Sequence, residues 1–291
     1  MRIALIALLV LAQDAVTLKY GGKKGDSIPL KGETTVTLKV DGSETFVNMV
    51  KSSMEFLNFQ KIHVRGEGVR KVVKSDKKNV ETFIEYATAR VDGKFDDEPY
   101  EFDFDRAAPP EGLDKDKLKQ ICWFLSMGGP QLIVDAKGVY RSSDANKDAW
   151  SEATDIVTSG AVRFTDKPVK QGDTWSSEWT SAYKQKDNDG RFAFKQKAKL
   201  EKLDGKRATV SFEMTGTLEI PEAKRDKNAE KQETKLEAKG TIVIDVDTGL
   251  VRSVTTKGSI VAQYKATDPN SSEIHELKME EGLESKFEEK E

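Results

Sequence analysis

The chain has 291 residues, 37% of them hydrophobic and 33% charged, with 47 Lys and Arg against 50 Asp and Glu and a formal net charge of −3. That balance supplies no net basic field to hold nucleic acid, and apolar residues alternate along the whole length, unlike a disordered chain. The single cysteine, Cys122, excludes an internal disulfide, so burial and strand pairing must hold the fold together.

Met1 to Ala12 place one positive charge, Arg2, ahead of an unbroken apolar run that ends in a small residue. The run is far short of the roughly 20 apolar residues that span a bilayer, and Val10 and Ala12 suit the small-residue pockets of a signal peptidase. Residues 1–12 are therefore expected to be a signal peptide and the mature chain to be exported, periplasmic or extracellular. No cysteine near residue 12 offers a site for a lipid anchor, and no later apolar stretch approaches membrane-spanning length, so a soluble protein is expected.

Residues 13–106 read as an N-terminal β region, because apolar residues recur at every second position. Val16, Leu18 and Tyr20 open the series, followed by Thr34, Val36, Leu38 and Val40, with Asp41-Gly42 as a hairpin turn into Thr45 to Val50. Met54 to Arg65 is apolar on both parities. Val80 to Val91 and Lys94 to Phe104 flank Asp92-Gly93, which reads as a second hairpin.

Residues 107–160 read as a helical insert with a short hairpin. Leu118, Ile121, Cys122 and Leu125 fall at helical spacing and predict a helix over 114–126, with a second, weaker one over 146–157. Between them a turn at Asp135 to Gly138 is expected to pair Leu132-Ile133-Val134 with Val139-Tyr140. Residues 161–291 read as an antiparallel meander with turns at Asp204-Gly205 and Asp247-Thr248-Gly249, a charged spacer from Pro221 to Lys235, and a final strand through Leu277, Met279, Leu283 and Phe287. A short echo links the regions: Lys23-Lys24-Gly25-Asp26-Ser27 opens the first and Lys170-Gln171-Gly172-Asp173-Thr174 the second. The β regions read as one domain or two related halves, and Gly-Asp turn chemistry alone also produces such an echo.

No motif points to catalysis, a metal or a cofactor. His63 and His275 each sit inside a strand pattern without a ligand-spaced neighbour, Cys122 lies on an apolar helical stripe, and no Gly-x-Ser-x-Gly is present. Asp187-Asn188-Asp189-Gly190 starts like a calcium loop but lacks the closing glutamate. The ligand-binding candidates are Trp175 and Trp179. Four residues apart on a strand, they face one side, either as core packing or as a platform for a sugar or an apolar ligand.

The segment Asp166-Lys167-Pro168-Val169-Lys170-Gln171-Gly172-Asp173-Thr174-Trp175 resembles the signature of an uncharacterised family of secreted bacterial proteins, a domain of unknown function. The Lys-Gly-Asp at Lys24 to Asp26, the central helix and hairpin, and the late turn at Asp247 look similar and follow in the same order. Many members look like lipoproteins, a feature this chain lacks. The resemblance implies an exported, mostly antiparallel β protein and carries over no catalytic residues. A mainly β fold is expected, a large curved antiparallel sheet or open barrel with one or two central helices, similar in shape to lipoprotein carriers. The function expected is non-catalytic: an envelope protein holding an apolar small molecule on a concave sheet, or alternatively a structural or protein-interaction module of the envelope, with an enzyme acting on an envelope polymer as the third alternative.

Overall fold

Alternation along the sequence carries through into a single antiparallel sheet. The computed structural model describes residues 15–53, 59–76, 79–95, 98–105, 132–138, 149–180, 191–220, 227–268 and 273–290. In chain order the elements are β1 (Ser27–Gly42), α1 (Glu44–Ser53), β2 (Phe59–Ser75), β3 (Val80–Phe95), β4 (Glu98–Asp105), β5 (Leu132–Val134), α2 (Ala149–Ser159), β6 (Thr174–Thr180), β7 (Arg191–Asp204), β8 (Arg207–Glu219), β9 (Ala229–Asp245), β10 (Val251–Thr267) and β11 (Ile274–Glu289). The strands lie in the order β4-β3-β2-β1-β11-β10-β9-β8-β7-β6, and β5 pairs with β3. The sheet is not closed. None of the described helices is long and apolar enough to cross a membrane.

One face of the sheet is apolar and carries the core. Leu200, Val210, Ile242, Val254, Ile260 and Leu283 are fully buried there, together with Ala153, Ile156 and Val157 of α2. The sheet bends toward this face. Tyr86 on β3 and Phe287 on β11 are three strands apart, about 14 Å on a flat sheet, yet their ring centroids lie 6.5 Å from each other. Arg70 on β2 likewise reaches across three strands to donate from Nη1 to the Val251 carbonyl at 2.7 Å.

The short echo is repeated in geometry. In the first turn the Asp26 amide donates to the Lys23 carbonyl at 2.9 Å, and the Gly25 amide to the Val72 carbonyl at 2.9 Å. In the second, Asp173 donates to Lys170 at 3.0 Å and Gly172 to Leu200 at 2.7 Å. Each aspartate side chain also accepts from the lysine amide three residues earlier, at 2.7 Å for Asp26 and 2.8 Å for Asp173. Gly25 and Gly172 hold φ of 96° and 92°, a region open to glycine. Beyond the turns the registers agree. β2 bulges against β3 between Val72 and Lys74, and β7 against β8 between Leu200 and Lys202. Val80 then faces Val134 as Ala208 faces Ile244.

Several expected boundaries move. Asp41-Gly42 makes no hairpin: β1 runs through it in register with Lys278 and Leu277 of β11, and Thr45 to Val50 belong to helix α1. No turn falls at Asp92-Gly93, because β3 continues through both residues to Phe95, which faces Glu98 of β4. Val16, Leu18 and Tyr20 form no strand beyond a single bridge from Val16 to Val169, although Leu18 and Tyr20 are buried. Leu132 to Val134 pair with β3, whereas Val139 and Tyr140 fall outside the described residues, as do residues 1–12, where a signal peptide is expected, residues 114–126 with Cys122, where a helix is expected, and Asp187 to Gly190. Within the charged spacer, Ala229 onward is already β9. The helix over 146–157 is present as α2, and the turns at Asp204 and Asp247 and the final strand stand as read.

Burial of three phenols makes the fold sensitive to alkali. Burial raises the Tyr20, Tyr86 and Tyr100 hydroxyls above their ordinary value of 10.0. Their contribution is complete below pH 10 and is lost as pH rises through the folded-state values, because only the unfolded chain ionises readily. Arg70, lowered by burial to about 10, works in the opposite sense over the same range. With three groups against one, denaturant unfolding is expected to show lower stability at pH 11 than at pH 9. A flat or rising profile would contradict the burial of these phenols.

Candidate functional site

The opposite face of the sheet is largely polar, because most alternate residues of the long strands are charged residues, Ser or Thr. Directly opposed residues make one row across ten strands: Glu101, Asp92, His63, Thr35, Glu284, Lys257, Lys239, Glu213, Lys197 and Ser176. Two adjoining open clefts lie over the middle of this face, of about 950 and 1000 Å³. Both reach from β1 to β6, and Thr35, Ser176, Lys197, Glu213, Lys239 and Lys257 line both.

Charge is unevenly paired within the clefts. Lys257 pairs with Glu284, Lys199 with Glu201 at 2.6 Å, Lys195 with Glu178 at 3.6 Å and Lys286 with Glu288 at 3.1 Å. Hydrogen bonds from Lys199 and Ser211 hold the Glu201 carboxyl below its usual range. Lys197 and Lys239, on either side of Glu213, make no ion pair among the described residues.

His63 belongs to the same row. Its Nδ1 lies 2.8 Å from Asp92 Oδ1, and its Nε2 lies 3.9 Å from Glu33 Oε2. A carboxylate-oriented histidine is part of a general-base arrangement, but Nε2 makes no hydrogen bond to a hydroxyl among the described residues. The same residues contain no group of three or more His, Cys, Asp or Glu placed to hold a metal.

On the apolar face a polar seam lies beneath and beside α2. Thr34, Ser285 and Thr256 oppose one another across β1, β11 and β10, all buried. Thr34 Oγ1 and Ser285 Oγ share a hydrogen bond at 3.3 Å, and Thr154 of α2 donates to both oxygens of the buried Glu281, at 3.3 and 3.2 Å. Among the described residues, Thr256 Oγ1 and Ser159 Oγ are buried without a partner. The enclosed space beside Arg70 and Tyr20 is about 10 Å³, at most a single water. An unpaired buried hydroxyl costs roughly 1–3 kcal/mol. Thr256→Val keeps the shape and removes that cost, so it is expected to raise stability by about 1 kcal/mol in denaturant unfolding. A loss of that size would show that the hydroxyl has a partner in solution.

The two tryptophans sit on the apolar side of edge strand β6, half-buried. Trp175 donates from Nε1 to the Arg163 carbonyl at 2.9 Å. Trp179 stacks on Phe194 at 5.2 Å, with the Arg163 guanidinium 5.9 Å from its ring centre. They flank the same segment but do not form an open pair. The alternation that marked them gives no hint of the paired and unpaired lysines opposite, which depend on register between strands. Comparison with family models and with curated proteins found no match for the chain.

Proposed function

We propose that this is an exported, non-catalytic protein of the cell envelope whose working surface is the polar face of the sheet, where it binds an extended, anionic partner. The observation that carries the reading is the pair Lys197 and Lys239, both lining two adjoining clefts without an ion pair among the described residues. Long clefts over a rigid sheet suit a polymer chain or a protein surface, and cations held on strands need little reordering to meet it. The apparent signal peptide and the resemblance to secreted proteins support an envelope location. Co-sedimentation with isolated envelope polymers at low and high salt tests the reading. Binding is expected to fall with salt and to be lost in Lys197→Glu/Lys239→Glu with stability unchanged. Equal binding by both proteins would overturn it.

A second reading, an apolar ligand on the concave face, draws on one observation. Under α1 the apolar row is less well covered than under α2: Val40, Leu277, Met279 and Tyr264 are half-buried, and Phe46 of α1 meets Tyr264 at 5.7 Å. Native mass spectrometry of protein purified from its own envelope, followed by organic extraction, separates the two. A stoichiometric lipid favours this second reading and a clean apo mass the first.

A further inference from the structure

We propose that two copies of this chain pair through the outer edge of β6, antiparallel and about a two-fold axis at Ser177, so that their sheets become continuous. The outer edge of β6 pairs with no strand among the described residues. Its counterpart in the first region, β1, opens from the matching Gly-Asp turn and pairs with β2 as β6 pairs with β7. The other edge of β1 is covered by β11 from Leu30 to Gly42, so this kind of strand is covered on both sides where the chain itself can supply a partner.

The outer edge has a defined polarity, and one of its acceptors is already in use: Arg163 donates from Nη1 to the Glu178 carbonyl at 2.9 Å, a bond that the second copy's Ser176 amide would replace. The Leu200 amide donates to the Asp173 carbonyl at 3.0 Å, which points the Asp173 backbone toward β7. By the two-residue period Trp175, Ser177 and Trp179 point the same way, and Thr174, Ser176, Glu178 and Thr180 turn their amides and carbonyls outward. A two-fold at Ser177 sets Ser176 opposite the second copy's Glu178 and Thr174 opposite its Thr180, and each such pair exchanges two hydrogen bonds. On the apolar side Trp175 meets the other Trp179. No like charges meet. β4, the other edge, differs: its own two-fold pairing would set Glu101 against Asp103, and Pro99 removes a donor. One edge is guarded by acids and the other is self-complementary.

Sedimentation velocity of the full chain over a range of concentrations tests this. The expected result is a monomer–dimer equilibrium reaching twice the mass of one chain. Ser176→Pro removes an outward amide while leaving the ladder to β7, and should give monomer at every concentration with cooperative unfolding retained. Ser176→Glu, set opposite Glu178, should weaken the dimer roughly three- to tenfold, and Ser176→Lys should tighten it by a similar factor. Ser177→Cys should form a disulfide-linked dimer on mild oxidation, since residues opposed at a non-hydrogen-bonded pair lie about 4.5 Å apart, and Thr174→Cys should not. A wild-type chain that stays monomeric, or a dimer indifferent to these four changes, overturns the proposal.

Discussion

Phe194→Ala should lower stability by about 3–5 kcal/mol, the usual range for removing a buried aromatic ring. Phe194 is 1% exposed and stacks between Phe192 at 5.5 Å and Trp179 at 5.2 Å. Its place is made by a glycine on the next strand: a Cβ at Gly216 would stand 3.0 Å from both Cδ1 and Cε1 of the ring. A neighbour with no side chain cannot move in to refill the space, so the cavity term should be near its full size. Because Trp179 rests on this ring, truncation should also loosen β6. A midpoint shift in denaturant with little change in slope is the expected readout. Lys195→Ala, one residue along and facing solvent, should stay within about 0.5 kcal/mol. A loss below about 1 kcal/mol for Phe194→Ala would mean that the ring is not a packing centre.

Gly160→Ala should cost about 2–5 kcal/mol, for two reasons that add. Gly160 ends α2 with φ of 64°, a conformation that costs an L-residue roughly 1–2 kcal/mol. The Gly160 amide donates to Val157 and the Ala161 amide to Ile156, both at 3.2 Å, the paired bonds of a Schellman cap. A Cβ there would also fall 2.7 Å from Val254 Cγ1, 3.1 Å from Thr256 Cγ2 and 3.3 Å from Ile242 Cγ2. Overpacking of this kind typically costs 1–3 kcal/mol. The helix end is thus pressed onto the sheet where only hydrogen fits. Thermal unfolding of Gly160→Ala beside Gly205→Ala separates the two causes, since Gly205 has φ of 57° and open space around it. Equal losses at both positions would show that crowding contributes nothing at Gly160.

Much of the sheet was legible because strands pair in sequence order and turn residues stand at their joints. Asp204-Gly205 and Asp247-Thr248-Gly249 are true turns for that reason. The same rule misled at Asp92-Gly93, where the glycine serves packing: a Cβ on Gly93 would lie 2.5 Å from the Tyr100 hydroxyl. It misled again at Asp41-Gly42, whose strand is held straight by a partner more than 200 residues away, leaving Ser43 to start a helix with its carbonyl bonded to the Val47 amide at 2.9 Å. Of the candidate site, the tryptophans were visible as an i, i+4 pair. The unpaired Lys197 and Lys239 were not, since their environment depends on strands β6 to β10 being set side by side. The polar seam left a faint trace, Glu281 and Ser285 interrupting the apolar parity of the last strand, which local alternation reads as noise.

The pairing of β1 with β11 fixes the order in which the molecule can be completed. The first strand of the sheet and the last lie side by side in its middle, joined from Leu30 opposite Glu289 to Gly42 opposite Leu277. Closing so long a loop is slow, because its entropy is lost before the contacts reward it. Until the final strand is available, β1 to β4 and β6 to β10 are separate ribbons with raw central edges. A chain delivered N-terminus first through a translocation pore would therefore stay unfinished, and threadable, until its last residues arrived.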